Sequence, residues 1–161
     1  MDINNKIVKV KHSIVLKAAQ YQVWSQLLKP GLLDFVAYPV VKFKYLSQIP
    51  LQWQAGTYKA SLHVFGLAPI GKQYIVIEFP KSEKGLLVLR DNGYGSTIKK
   101  WDHWVTLKKI DEETTLYSDE VEVQAGLLTV FVWVFAWFFY KHRQKRWTQL
   151  VANNFSQLNA K

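Results

Sequence analysis

The sequence contains no cysteine among its 161 residues. Disulfide bonds, thiolate metal sites and a catalytic thiol are therefore excluded. The histidines are spread along the chain, and none stands at the spacing of a metal-ligand pair. We therefore expect no metal ion and no other cofactor.

The sequence also lacks several segments that define other classes of protein. The N-terminal residues, MDINNKIVKVKH, do not contain the apolar core of a secretory signal, so the expected compartment is the cytoplasm. No serine stands in a nucleophile elbow. The segment GYG at residues 93–95 has neither the spacing nor the following helix of a phosphate-binding loop. There are no repeats or linkers, and the length is typical of one domain spanning residues 1–161.

What the sequence does contain is largely apolar and basic. Apolar residues make up 49% and aromatic residues 15% of the chain, a composition that supports a sizeable core. The formal net charge of +9 fits nucleic acid, an anionic membrane or an acidic ligand. Most lysines alternate with apolar residues, as on the solvated faces of strands. Because the aromatic residues fall mostly on the inferred inner faces, we expect no nucleic-acid partner.

The most apolar stretch is AGLLTVFVWVFAWFFY at residues 125–140, which a basic run at 141–146 follows at once. A membrane-spanning helix needs about 20 apolar residues, and about 17 is near the lower limit. The 16 residues of this stretch fall short, although a basic flank fits such a helix. The alternative is a helix that is buried inside a folded domain.

The residues after the basic run favour the buried helix. They continue one stripe at helical spacing: Trp133, Trp137, Tyr140, Gln144, Trp147, Leu150, Val151, Asn154 and Leu158. A membrane helix needs no stripe beyond its basic flank. We therefore predict one helix over about 127–157, roughly 45 Å long, buried in its first half against a sheet. Contact of this helix with a membrane surface is the alternative.

Upstream of that helix, the pattern predicts one strand, two short helices and about six further strands. The predicted strands are 7–16, 40–46, 57–65, 72–79, 86–90, 97–110 and 116–123, and the predicted helices are 18–28 and 32–38. The segment DNGYG at 91–95 predicts a turn. Consecutive strands with segregated helices indicate an α+β fold, a curved antiparallel sheet under the long helix. A ligand would lie in the gap between them.

This order of elements resembles that of the START/SRPBCC superfamily, which includes lipid-transfer domains, birch-pollen-type allergens and polyketide cyclases. Five stretches carry the resemblance: AAQYQVW at 18–24, LAPIGKQYI at 67–75, WDHW at 101–104, YSDEV at 117–121 and FYKHRQKRW at 139–147. The last three resemble a bacterial subgroup with no settled activity. The resemblance implies a helix-grip fold, with the C-terminal helix on the concave face of a sheet of six to seven strands. It leaves transport, sensing and catalysis open, because one fold hosts all three.

The candidate catalytic residues are His103 and Asp119. In a strand, Trp101, His103 and Val105 share one face, and Tyr117 and Asp119 share a face of the next strand. Both faces are apolar enough to look inward, and a short hairpin would make His103 and Asp119 near neighbours. A carboxylate beside an imidazole can orient it as a general base. The alternative is a buried pair that holds the helix to the sheet, with Arg143 or His142 completing the network.

The predicted ligand-binding residues line the gap between sheet and helix: Leu62, Val64, Tyr74, Val76, Trp101, His103, Val105, Tyr117, Asp119, Phe131 and Phe135. On 57–65 and 72–79, a shift of one residue would exchange each named side chain for its neighbour. The favoured function is a carrier or sensor of a hydrophobic small molecule or lipid. The alternatives are a cyclase- or dehydratase-type enzyme that uses the His/Asp pair, a membrane-associated protein, and a core filled by aromatic side chains that serves protein contact.

Overall fold

A computed structural model describes residues 6–158. Residues 1–5 and 159–161 lie outside the described residues. The two ends of the predicted domain 1–161 and part of the N-terminal segment fall there. The strands are β1 (Val8–Leu16), β2 (Val41–Tyr45), β3 (Gly56–Val64), β4 (Ala68–Glu78), β5 (Leu86–Gly95), β6 (Lys100–Lys109) and β7 (Thr115–Gln124). The α-helices of the described part are α1 (Gln20–Leu27), α2 (Pro30–Ala37) and α3 (Thr129–Ala152), and 3-10 turns flank α3 at Gly126–Leu128 and Ser156–Leu158.

The seven strands form one antiparallel sheet in the order β1-β7-β6-β5-β4-β3-β2. Strands β2 to β7 follow one another as a meander, since consecutive antiparallel strands need only short turns. Strand β1 then pairs with β7, on the far side from β2. With α3 on the curved sheet and two short helices after β1, the predicted α+β helix-grip fold is confirmed.

Two prolines delimit the short helix α2. Pro30 stands in its first turn, where the missing amide hydrogen costs no helical hydrogen bond. Pro39 follows the other end and forces the residue before it out of the helical region, so that Tyr38 is extended. The inner sides of α1 and α2 are buried through residues such as Val23, Leu27 and Val36.

The core has two connected parts along α3. Around its C-terminal half, Trp147 and Leu150 are fully buried, and the Trp147 ring lies 5.1 Å from that of Tyr117 on β7. Around its N-terminal half, the buried side chains include Ala136 and Phe139, in one cluster with valines of β1 and β7. The helix is therefore held to the sheet along its whole length, but through one side only.

The other side of α3 is exposed in its first half, which corrects the prediction that this half is buried. The exposed apolar residues there and in the preceding turn are Leu127, Leu128, Val130, Phe131, Trp133, Val134, Trp137 and Phe138. A sheet can cover only one face of a helix, and no other described element covers the opposite face of this half. Among residues 6–158, no helix has the length and apolar character needed to cross a membrane.

The long helix also ends earlier than predicted. Asn154 and Phe155 have φ angles of 48° and 59°, in the left-handed region that cannot continue a right-handed helix. The amide of Phe155 instead donates to the carbonyl of Leu150 at 2.8 Å, which closes the helix end.

Strand β5 is longer than predicted, because the segment 91–95 belongs to the strand and not to a turn. The chain turns at 96–99 instead. The two glycines allow β4 and β5 to approach each other closely. A Cβ at Gly95 would lie 2.6 Å from the carbonyl oxygen of Lys72, and a Cβ at Gly93 would lie 3.0 Å from the carbonyl oxygen of Tyr74. The extension carries Asp91 into the sheet.

Candidate functional site

A narrow cavity lies between the concave face of the sheet and α3. It has two parts, of about 60 Å³ and about 40 Å³, and Leu33, Ile75, Asp91, His103 and Arg143 border both. The remaining walls are mostly apolar and come from α1, α2, β2 to β6 and α3, and from Trp53 before β3 and Ile98 between β5 and β6. The cavity therefore has the expected position, with a few polar groups among apolar walls.

Three titratable groups meet at this cavity from three elements. Asp91 on β5 and His103 on β6 are register partners in the antiparallel ladder, so their side chains stand side by side on one face. Arg143 comes from α3 on the opposite wall. The fold thus brings together a buried imidazole, a buried guanidinium and a partly buried carboxyl.

Behind the cavity wall, Asp119 is the centre of a buried hydrogen-bond network. Its Oδ1 lies 2.8 Å from His103 Nε2, and it accepts a hydrogen bond from the Tyr117 hydroxyl at 2.8 Å. Arg143 Nε lies 3.3 Å from the same oxygen, and its Nε and Nη2 donate to the Tyr117 hydroxyl. Gln144 Nε2 donates to Asp119 Oδ2 at 3.3 Å. The structure thus brings the predicted pair together with Arg143, one of the two expected partners, and adds Gln144.

Burial and these contacts set the charge states of the network. Burial alone would raise the pKa of Asp119, but the charge of Arg143 and the hydrogen bond with His103 outweigh it and lower that pKa. Burial lowers the pKa of His103, although Asp119 acts in the opposite direction. At neutral pH the network therefore holds an Asp119 carboxylate, an Arg143 cation and a neutral imidazole. Because a carboxylate can only accept, His103 donates through Nε2.

Asp91 is a candidate site residue that the sequence did not reveal. Its Oδ1 accepts a hydrogen bond from the Val76 amide at 2.8 Å. Burial raises the pKa of the Asp91 carboxyl to about 7, although that hydrogen bond and the Arg143 charge act to lower it. A group with such a pKa can take or release a proton at neutral pH. The sequence did contain a signal for this position. Asp91 continues the alternation that Leu87 and Leu89 begin, which places the three on one face of the strand.

Aromatic side chains make the cavity narrow. Trp101 Nε1 donates to the Tyr140 hydroxyl at 3.1 Å, and their rings are stacked 6.0 Å apart. The Tyr140 ring also lies 4.7 Å from the imidazole of His103. Phe135 and Phe139, stacked 5.9 Å apart, close the same side. Aromatic side chains therefore occupy part of the gap between the sheet and α3, and a narrow space remains.

Some predicted ligand-binding residues lie at the cavity and others do not. Leu62, Trp101, His103 and Phe135 border its larger part, and Val105 borders the smaller part. Behind the wall, the side chains of Tyr117 and Asp119 contact the residues that border the cavity. Val64, at the end of β3, pairs with Ala68 at the turn and is not among the bordering residues.

The predicted face of β4 was wrong by one residue. Ile75 and Ile77 are buried and face the core, so Tyr74 and Val76 lie on the outer face. There the Tyr74 ring stacks on Tyr94 at 4.9 Å. The stretch QYIVIEF is apolar on both faces, and alternation alone could not fix its phase.

On α3, the structure corrects the prediction for Phe131 and decides between the two alternatives Arg143 and His142. Phe131 is 75% exposed and points away from the cavity. His142 Nε2 lies 2.9 Å from the carbonyl oxygen of Tyr38, so Arg143 and not His142 joins the buried network. One residue along a helix turns the side chain by about 100°, which separates these neighbours.

A larger open groove of about 740 Å³ lies outside the cavity, between α2, β2 and the C-terminal end of α3. Val41 and Phe43 border both the groove and the cavity, so their side chains form the partition between them. Lys29, Lys42 and Arg146 line the groove. Within residues 6–158, no group of three or more acidic or histidine side chains is arranged to hold a metal ion.

No protein-family model and no curated protein matches this sequence. Solved structures do match. A START superfamily protein from Mycobacterium smegmatis has a TM-score of 0.60 and 14% identity, covering 90% of this chain and 97% of that one. Norcoclaurine synthase from Thalictrum flavum, as a point mutant with a transition-state analogue, has a TM-score of 0.66 and 10% identity, covering 92% and 96%. The ZhuI aromatase/cyclase from Streptomyces sp. R1128 has a TM-score of 0.61 and 12% identity, covering 94% and 95%.

These similarities define the class of the protein by its fold. The sheet, the two short helices and the C-terminal helix are those of the START/SRPBCC helix-grip fold, as the resemblance in sequence predicted. The identities are low, and one of these neighbours is described as a START protein while two are enzymes. The function of this chain must therefore be argued from its own cavity.

Proposed function

We propose that this protein binds a hydrophobic small molecule or lipid between the sheet and α3, with a polar group of the ligand directed to Asp91, His103 and Arg143. The observation that carries the proposal is the cavity itself, whose apolar walls surround a few converging polar side chains. This combination is typical of small-molecule sites. Affinity would come from apolar surface removed from water, at about 25 cal/mol per Å², and the polar groups would fix orientation.

The narrow cavity must widen to accept such a ligand. Its two parts, of about 60 Å³ and about 40 Å³, are smaller than ligand pockets, which usually measure roughly 300–1,000 Å³. The neighbouring groove of about 740 Å³ supplies the missing space once the Val41 and Phe43 side chains rotate aside. We therefore expect the ligand to enter from the groove and to place its innermost end beside Asp91.

Native mass spectrometry of the protein as purified from cells, with extraction of bound compounds, is the first test. A co-purifying apolar compound supports the proposal and identifies the ligand class. Titration with a fluorescent fatty acid tests an empty protein directly. Protein that carries no compound and does not bind that probe would contradict ligand binding and favour a filled core.

A matched pair of variants locates the binding site. Leu62→Trp fills the cavity from β3 and should abolish probe binding, whereas His63→Trp places the same new side chain on the other face of β3 and should not. Ile75→Phe fills the cavity from β4 and replaces Leu62→Trp in this test if that variant fails to fold. Equal binding by all folded variants would place the ligand elsewhere.

The second candidate function is an enzyme of the cyclase or dehydratase type. The observation that favours it is the Asp91 carboxyl, which has a pKa of about 7 and lies beside a neutral His103. Such a pair can move a proton to and from a bound substrate. Once a compound is identified, Asp91→Asn and His103→Gln should each lose turnover while ligand affinity is kept. A carrier has no turnover to lose, and unchanged turnover in both variants would exclude these residues as catalysts.

A further inference from the structure

The exposed side of the first half of α3 forms a continuous apolar surface. We define this apolar face by Leu127, Leu128, Val130, Phe131, Val134 and Phe138. Leu127 and Phe131 are 74% and 75% exposed. Single exposed apolar residues are common, but a contiguous patch of large ones marks an interaction surface.

A second apolar projection lies at the same edge of the sheet. In an antiparallel meander, alternate turns share one edge, so the β3–β4 turn, the β5–β6 turn and the start of α3 all lie at the same edge of the sheet. The β3–β4 turn presents Phe65 and Leu67, which are 64% and 85% exposed. Two separate segments of chain therefore project large apolar side chains at one end of the molecule.

The charges at this edge are basic and largely uncompensated. Lys42, Lys72 and Lys99 are exposed there, and within residues 6–158 none of them forms an ion pair with a carboxylate. The nearby Glu122 is already paired with Lys100 at 2.6 Å. The acidic turn 111–113 lies at the opposite edge.

The helix itself adds to this basic character. Its sequence contains no aspartate or glutamate, and Lys141 follows the apolar face along the exposed side. The Lys141 ammonium lies 4.9 Å from the centre of the Trp137 ring, so it stays close to the apolar surface. Apolar side chains flanked by lysines are the composition of a helix that lies in a membrane interface.

We propose that this end of the protein docks on an anionic membrane surface. The apolar face and the β3–β4 turn enter the boundary between headgroups and acyl chains, and the lysines contact the acidic headgroups. A second copy of the chain fits less well, because self-association through this end would bring the uncompensated lysines of both copies together. The proposal does not depend on a ligand in the cavity.

Vesicle flotation of the full chain tests the docking. The vesicles are pure phosphatidylcholine, or phosphatidylcholine and phosphatidylglycerol in equal parts, at low and high salt. We expect flotation with the anionic vesicles only, weakened by salt because headgroup attraction is screened. A protein that stays at the bottom with anionic vesicles at low salt would overturn the proposal.

Matched variants test the surface. Leu127→Ser with Phe131→Ser should reduce the anionic-vesicle partition coefficient at least about tenfold, since two large apolar side chains leave the interface. The control pair, Leu51→Ser with Ile110→Ser, alters residues that are 96% and 53% exposed at the opposite edge and should bind normally. Equal binding by both pairs would contradict the proposed face.

Charge reversal and oligomeric state complete the test. Lys42→Glu with Lys72→Glu should weaken anionic-vesicle binding more than Lys84→Glu with Lys108→Glu at the other edge. Light scattering measures the mass in solution without lipid. A dimer that the Leu127/Phe131 variant converts to a monomer, together with no vesicle binding by the unaltered protein, would replace the membrane with a second copy.

Discussion

Asp91 and His103 face each other across the β5–β6 ladder, and both side chains border the cavity. The same physical cause moves their pKa values in opposite directions: burial raises that of the acid to about 7 and lowers that of the base. Burial therefore favours the uncharged form of both groups. Arg143 and Asp119 remain charged beside them, as an ion pair that the imidazole contacts.

The raised pKa of Asp91 predicts that the protein loses stability as the pH rises toward 7. Between about pH 4 and pH 7 the folded protein keeps a proton on Asp91 that the unfolded chain has released, so unfolding becomes easier as pH increases. Asp91→Asn removes this titration. Relative to wild type, the variant should gain about 2–3 kcal/mol of unfolding free energy between pH 5 and pH 8, as measured by urea denaturation.

Asp102 provides the control for that experiment. Partial burial opposes its ionisation, but hydrogen bonds and charge from Arg90 outweigh it and lower the pKa of Asp102. Its contribution to stability is therefore present at neutral pH and is lost only as the pH falls below the usual range of a carboxyl group. Asp102→Asn should cost stability by a constant amount between about pH 5 and pH 8. If the difference in unfolding free energy between Asp91→Asn and wild type were also constant over this pH range, Asp91 would not titrate there.

The buried pair Arg143 and Asp119 predicts a strong energetic coupling. Arg143→Met leaves the Asp119 carboxylate buried without its cation, and the expected loss is about 3–5 kcal/mol. Adding Asp119→Asn removes the unpaired charge, so the double variant should be more stable than Arg143→Met alone. Urea denaturation of the four proteins in a double-mutant cycle measures the coupling. Additive losses would mean that the two groups do not interact in the folded protein.

The order of elements and the position of His103 beside Asp119 were accessible from the sequence. Alternation of lysines with apolar residues marks strands such as β2, and prolines bracket α2. The segments around His103 and Asp119 each have one clearly apolar face, so their inward sides could be chosen. The diagonal contact then follows from a short hairpin, as the register of β6 and β7 shows.

The remaining predictions were wrong because local sequence patterns do not contain the information that decides them. Strand β4 is apolar on both faces, which left its phase undetermined. The glycines at 93 and 95 favour a turn in isolation, and only the approach of β4 explains them as strand residues. The exposure of α3 depends on which elements lie over it, and an all-apolar helix has no polar face to indicate the open side.

The corrected face of β4 predicts unequal effects for two neighbouring residues. Ile75 is buried against the core, and truncation to alanine should cost about 2–5 kcal/mol. Val76 lies on the outer face, and Val76→Ala should change stability by no more than about 1 kcal/mol. Thermal or urea unfolding of the two variants compares them directly. A larger loss at Val76 would restore the face predicted from alternation.

The partition formed by Phe43 predicts a change in ligand exchange rates. Phe43 separates the groove from the cavity, so Phe43→Ala should open the route without altering the inner walls around Asp91. Association and dissociation of a fluorescent fatty acid should then accelerate by a similar factor, with little change in Kd. Stopped-flow fluorescence measures both rates. Phe79→Ala, which shortens a phenylalanine that is 40% exposed and contacts Trp24 away from the cavity, is the control. An unchanged association rate in Phe43→Ala, with a weaker Kd, would make Phe43 a wall of the binding site and place the route of access elsewhere.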